Sequence, residues 1–179
     1  MLTFEDFRTE KKYHLWKLFA VNWVATRYAF LCIPFYLTLG LVVEGLTGDK
    51  NLLLTRFMYG SVYGMLILLL VTMHTIGHII SGKIVGAPMS DNILTSTFQV
   101  NKYDDQKRFH RSIHVGRALG GPILNLSLGI LVWLFHHIYP NPWVKFLSIS
   151  SIVVGLYTLL PLSSLDGEVL WSGGKNHRN

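Results

Sequence analysis

The sequence predicts an all-α, polytopic membrane protein, with four transmembrane helices and a short strand-containing loop as its one sizeable connection. Three observations carry this expectation. Half of the 179 residues are hydrophobic and only 15% are charged, against roughly 25% charged in an ordinary soluble domain. The apolar residues gather into four stretches, Leu18–Val43, Phe57–Gly82, Ala118–Val144 and Phe146–Leu165, interrupted by a single charge, Arg27. The shortest is 20 residues long, and about 20 apolar residues suffice to cross a bilayer core.

The elements follow in chain order. Phe4, Phe7, Leu15 and Trp16 recur among charged residues at near-helical spacing, which predicts an amphipathic interfacial helix over Thr3–Lys17. No short apolar core of a cleaved signal peptide precedes the first span, expected over residues 18–43. A Thr-Gly-Asp-Lys turn, Thr47–Lys50, leads towards the second, over 57–82. Residues 83–117 form the long loop. Within it Ile93–Val100 is rich in Ile, Thr, Phe and Val, the composition of a short strand, and basic Arg108–Arg117 reads as a helical approach to the third span. That span, over 118–139, opens with Gly120-Gly121-Pro122. A tight Tyr139–Pro142 turn joins it to the fourth, over 143–163, and Asp166-Gly167 follows at once. The chain, 1–179, reads as one membrane domain.

The formal charge of +6 would invite a nucleic-acid reading in a soluble protein. Here it resolves into loop charge, and no nucleic-acid partner is expected. Four spans place twelve Lys and Arg on the side holding both termini and the long loop, and only Lys50, Arg56 and Lys145 on the other. Cytoplasmic loops are enriched in these residues, so both termini are expected in the cytoplasm. Trp16 and Trp171 then fall at one interface and Trp143 at the other, where indoles prefer to sit. The single cysteine, Cys32, excludes an internal disulfide and argues against a cysteine-based metal site.

Three polar features interrupt the apolar spans. His74 and His78 stand at i and i+4 on the second span, which puts both imidazoles on one helix face and suits two corners of a tetrahedral zinc site. Taken alone, they equally suit a pair facing a polar neighbour. Bis-histidine haem usually draws its two ligands from different helices. Asp166 ends the fourth span, where a carboxylate can also snorkel or cap a helix. Gly167 lets the backbone approach closely. Gly120-Gly121-Pro122 with Asn125 opens the third span, where small residues also serve helix packing. Topology brings the three features to one depth, because the second span runs inward, the third starts there and the fourth ends there. Two histidines and an aspartate make three ligands, leaving a fourth zinc position open, as in catalytic sites.

With His74-Thr75-Ile76-Gly77-His78, Gly121-Pro122-Ile123-Leu124-Asn125 and Leu165-Asp166-Gly167 in that order, the chain resembles the site-2 protease family of intramembrane zinc metalloproteases. Those proteins carry His-Glu-x-x-His, a Gly-Pro-x-x-Asn type motif and Leu-Asp-Gly on successive spans, and the resemblance covers residues 57–170. It implies a single zinc ion held by His74, His78 and Asp166, with Asn125 beside the substrate. It also implies that Ile93–Val100 lies in a region of strands along the substrate groove, where a peptide strand can add to a sheet edge.

One departure bears on activity. The family's catalytic glutamate corresponds to Thr75. Peptide hydrolysis at a zinc site needs a base for the proton of the attacking water, and a threonine hydroxyl cannot hold a proton near neutral pH. Glu168 is the one nearby carboxylate that could substitute, although it stands where the family often has glycine and its side chain is expected to point away. Thr158 stands near a position where the family often has asparagine. His110 and His114 share the i, i+4 spacing but are surrounded by Arg108, Arg111 and Arg117, a field that opposes a dication and suits lipid headgroups. His136 and His137 belong to the opposite interface, and Arg27 is expected to snorkel or pair within the bundle.

The reading favoured by these residues is a zinc-binding, proteolytically impaired relative of the site-2 proteases that binds a transmembrane peptide or membrane-protein partner in the bilayer. Its alternatives are an active intramembrane protease and an accessory subunit of a larger membrane complex.

Overall fold

The computed structural model describes residues 11–47, 53–104, 109–163 and 165–172. Two short strands come first, β1 (Tyr13–Leu18) and β2 (Val21–Ala25), then a 3-10 turn (Ala29–Leu31) leading into α1 (Cys32–Thr47). The long helix α2 (Leu53–Ile84) is followed by β3 (Asp91–Leu94) and β4 (Gln99–Lys102). Helices α3 (Arg111–Ile138), α4 (Pro142–Tyr157) and the short α5 (Asp166–Ser172) complete the chain.

The four strands form one sheet in the order β1-β2-β3-β4. The outer pairs are antiparallel hairpins and the central pair, β2 with β3, is parallel. A parallel pair needs a crossover connection, and here α1 and α2 supply it. Val21 and Trp23 of β2 pack with Met89 against Ile79 of α2. The sheet is thereby fixed to the C-terminal part of α2, where the histidines lie.

Two expectations are corrected at the N-terminus. Residues 3–10 of the expected interfacial helix lie outside the described residues, and 13–18 form a strand. The expected first span loses its N-terminal part to β2 and begins at the 3-10 turn. The hairpin turns on Phe19 and Ala20, with φ of 54° and 62°. Positive φ at both central residues matches the twist of paired strands, at a steric cost of roughly 1–2 kcal/mol for each residue with a Cβ. Tertiary contacts offset this: Trp16 stacks on Trp23 at 6.1 Å and the Lys83 ammonium lies 5.7 Å over the Phe19 ring.

The Ile93–Val100 region yields two strands rather than one, closed by Thr95 bonding Phe98. The fold is therefore mostly helical with a four-stranded sheet, not all-α. Asn22 and Ser90 donate to the Asp91 carboxylate at 3.0 and 3.1 Å, with Lys102 at 3.4 Å. Partial burial would raise this carboxyl, but these partners hold it below the ordinary range. Its contribution to the β2–β3 junction is full above the unfolded carboxylate pKa and is lost as pH falls through the lower folded value. The protection factors of the Asn22 and Asn92 amides, taken relative to the intrinsic exchange rate at each pH, are expected to fall on acidification in the wild type. In Asp91→Asn they should already be lower at neutral pH and show no such step.

Three helical segments are long and apolar enough to span a membrane: Ala29–Leu46, α2 and α3. The fourth apolar stretch is not one continuous helix. Helix α4 has 16 residues, about 24 Å at 1.5 Å per residue, and turns through Leu160 and Leu162 follow. It starts cleanly, with Asn141 Oδ1 accepting from the Trp143 N–H at 2.9 Å and Pro142 in the first turn. Helix α3 begins at Arg111, so Gly120-Gly121-Pro122 sits inside it rather than at its opening.

Candidate metal centre

One face of α2 presents His74 and His78 a turn apart. Their ring centroids are 4.7 Å apart at 79°, and the two Nε2 atoms approach to 3.1 Å. Asp166, the first residue of α5, meets both: Oδ2 lies 3.0 Å from His74 Nε2 and Oδ1 lies 3.2 Å from His78 Nε2. The fold-back that delivers Asp166 depends on Gly167. Its N–H donates to the Thr158 carbonyl at 2.8 Å, and a Cβ there would collide with the backbone of Leu159 and Leu160. Trp171 Nε1 donates to the Leu159 carbonyl at 3.2 Å and Arg111 to that of Leu170 at 3.1 Å, which ties α5 to the end of α4 and the start of α3.

These residues fit a metal ion. Their donor atoms all lie within 4.8 Å of one another. A tetrahedral zinc with bonds of about 2.0–2.1 Å separates its donors by about 3.3 Å, close to the observed edges. Space beside the imidazoles exists because residue 121 is glycine; a Cβ there would sit 2.6 Å from both His74 Cε1 and His78 Nε2. The two Asp166 carboxylate oxygens each face one imidazole Nε2, so all three donors point at a common centre.

A second layer orients the rings. His78 is buried, and its Nδ1 lies 2.9 Å from the Arg117 carbonyl. A carbonyl only accepts, so Nδ1 carries the proton and Nε2 keeps its lone pair for a metal. Ser81 Oγ donates to the same carbonyl at 3.0 Å. Asn125 is fully buried, with Nδ2 3.2 Å from His74 Nδ1 and with Oδ1 lacking a partner.

Thr75, next to His74, bonds to the sheet. It is 3% exposed, and its hydroxyl donates to Gln99 Oε1 of β4 at 2.9 Å. The same oxygen accepts from Asn92 Nδ2 at 3.1 Å, while Gln99 Nε2 donates to Thr72 at 3.4 Å. One face of α2 thus carries the histidines, and the adjoining one, through Thr72, Thr75 and Ile79, carries the sheet. Glu168 is half-buried and does not belong to the His74–His78–Asp166 group, which is the one such group of three among the described residues.

The other singled-out residues lie apart from this group. His110 caps α3, accepting from the Ser112 N–H, and His114 Nδ1 accepts from the Arg117 guanidinium at 2.7 Å. His136 and His137 pack near Trp133. Arg27 lies 4.5 Å over the Tyr28 ring. Thr158 donates back to the Val154 carbonyl. Gln99 and the Arg117 carbonyl were not visible to sequence reasoning: the first is a lone polar residue between Phe98 and Val100, and the second acts through the main chain.

No protein-family model matches the chain, and no curated protein is similar to it in sequence. In structure it is similar to the site-2 protease from Methanocaldococcus jannaschii, with a TM-score of 0.63 over 89% of this chain and 69% of that one, at 16% identity. The shared fold is that of a site-2 protease.

Proposed function

We propose that this chain is a zinc-binding membrane protein of the site-2 protease type that engages a membrane-embedded peptide segment and is impaired in cutting it. The observation that carries the reading is the divided face of α2: three metal donors converge on one side, and the neighbouring base position holds a threonine bonded to the sheet. His74, His78 and Asp166 would hold the ion. When bound, zinc supplies Lewis acidity towards a peptide carbonyl and acidifies water. The chain's own groups offer Thr75 no means of storing the proton, and Glu168 stands outside the cluster. Among the described residues β4 is an edge strand, which suits an unwound peptide that adds as a further strand. The loop charge bias supports a cytoplasmic location for this end of the bundle and for both termini.

Asn125 has a defined role in this reading. With Oδ1 turned to the ring, it accepts from His74 Nδ1–H and leaves Nε2 for the metal, which also gives the orphaned oxygen a partner. Asn125→Leu is then expected to weaken zinc affinity about 10–100-fold, the usual cost of losing an outer partner. Competition with a chelator of known affinity measures it.

The reading is tested with zinc-loaded protein in vesicles and a transmembrane peptide bearing a photoreactive group. Wild type is expected to crosslink the peptide near Gln99–Lys102 and leave it intact. Cleavage that depends on His78, or no crosslinking there, would overturn it. Cleavage abolished in Glu168→Gln would favour the active-protease alternative.

A further inference from the structure

At the other end of the bundle from the histidines, α1 and α2 line an open cavity of about 520 Å3 bordered by Leu41, Glu44, Gly45, Leu53, Leu54, Arg56 and Phe57. Arg56 and the metal ligands are separated by roughly 27 Å of helix at 1.5 Å per residue. Glu44 is only 4% exposed, and its Oε1 has no hydrogen-bond partner. A buried carboxylate without a partner is costly. Arg56 lines the same cavity, yet among the described residues neither group enters an ion pair. Among the described residues the rest of the lining is apolar, and the cavity opens to the bundle's exterior through Leu53 and Leu54, both strongly exposed.

We propose that this cavity binds a phospholipid whose headgroup carries both a phosphate and a primary ammonium, as in phosphatidylethanolamine. The ammonium donates to Glu44, the phosphate accepts from Arg56, and the first part of an acyl chain lies along Leu53, Leu54 and Phe57. Each wall selects. A bare metal cation would leave Arg56 and the apolar side unmatched. An anionic headgroup without an ammonium leaves Glu44 unpartnered and repelled. A choline headgroup has the charge but no N–H for the carboxylate. The cavity is also of a size typical for small-molecule sites, about 300–1,000 Å3.

The experiment equilibrates the full chain in vesicles of equal phosphatidylethanolamine, phosphatidylcholine and phosphatidylglycerol, then counts retained lipids by native mass spectrometry. Wild type is expected to retain phosphatidylethanolamine about tenfold over phosphatidylcholine, the size of one charge-assisted hydrogen bond. Glu44→Gln should bring that ratio close to one. Arg56→Gln should lower retention of both lipids and leave the ratio unchanged. Zinc content should stay the same in both variants, which separates this site from the metal centre. Equal retention of the two lipids by wild type, or an unchanged preference in Glu44→Gln, would overturn the proposal. If Glu44→Gln does not fold, the wild-type competition decides alone, because the two lipids differ only in their ammonium groups.

Discussion

Thr75→Glu is expected to raise cleavage of a transmembrane substrate by zinc-loaded protein about 10²–10⁴-fold over wild type, the range attributed to general acid–base catalysis. The donors are in place without it, since His74, His78 and Asp166 converge independently of residue 75. The missing element is a group that can take a proton and return it. The site can also receive a carboxylate. The Thr75 hydroxyl meets the Gln99 carboxamide, which can rotate to present its N–H₂ to a glutamate in place of its oxygen. Pairing with a neutral amide leaves such a carboxylate able to titrate. A variant that keeps its zinc and shows no gain would mean that the missing base is not what limits cleavage. Thr75→Val separates the hydroxyl's structural part: it removes the bond to β4 without supplying a base, so it should loosen the sheet and leave cleavage at the wild-type level.

Gly77→Val is expected to disrupt the fold around the centre altogether. A Cβ at residue 77 would collide with the Gly120 carbonyl oxygen and lie 2.7 Å from the Gly120 carbonyl carbon and 2.9 Å from Gly121 Cα. These are backbone atoms of the facing helix, so no side chain can swing away. Overpacking a core typically costs about 1–3 kcal/mol, and a branched side chain against backbone should exceed that range. The crossing also sets the metal geometry, because Gly121 abuts both imidazoles and the Arg117 carbonyl fixes His78. Unfolding in detergent should shift to much milder conditions, and zinc retention should fall with it. Isoleucine at exposed Met65, on the same helix, serves as a control for β-branching and should change neither.

The His74–His78–Asp166 cluster was more legible in the sequence than the sheet beside it. His74 and His78 share a helix face by spacing, and Asp166 and Asn125 stood out only when their short motifs were taken together with that pair. Side chains that share a helix face or a membrane depth can be placed from periodicity and topology alone. Val21–Ala25 could not. A pentapeptide with four apolar residues, buried against Ile79 and Met89, resembles in composition a helix inside a bilayer, and periodicity does not separate the two over so short a run. The hairpin before it turns on Phe19-Ala20, without the Asn-Gly or Gly signal that such turns usually show. At the other end, apolar residues continue past Tyr157, so composition overestimates α4, while Pro161 and the turns before Asp166 end the helix. Gln99 and the Arg117 carbonyl were invisible for a different reason. They meet α2 only through the tertiary fold, by way of a strand pairing and a helix crossing.

Zinc per chain in protein purified from membranes is the measurement that bears most directly on the centre. The expected result is one zinc per wild-type chain, falling below about a tenth of that in His74→Ala, because removing one of three protein ligands costs more than the 10–100-fold typical of an outer-shell partner. Wild-type protein without zinc, or an undiminished content in His74→Ala, would contradict a metal centre formed by His74, His78 and Asp166.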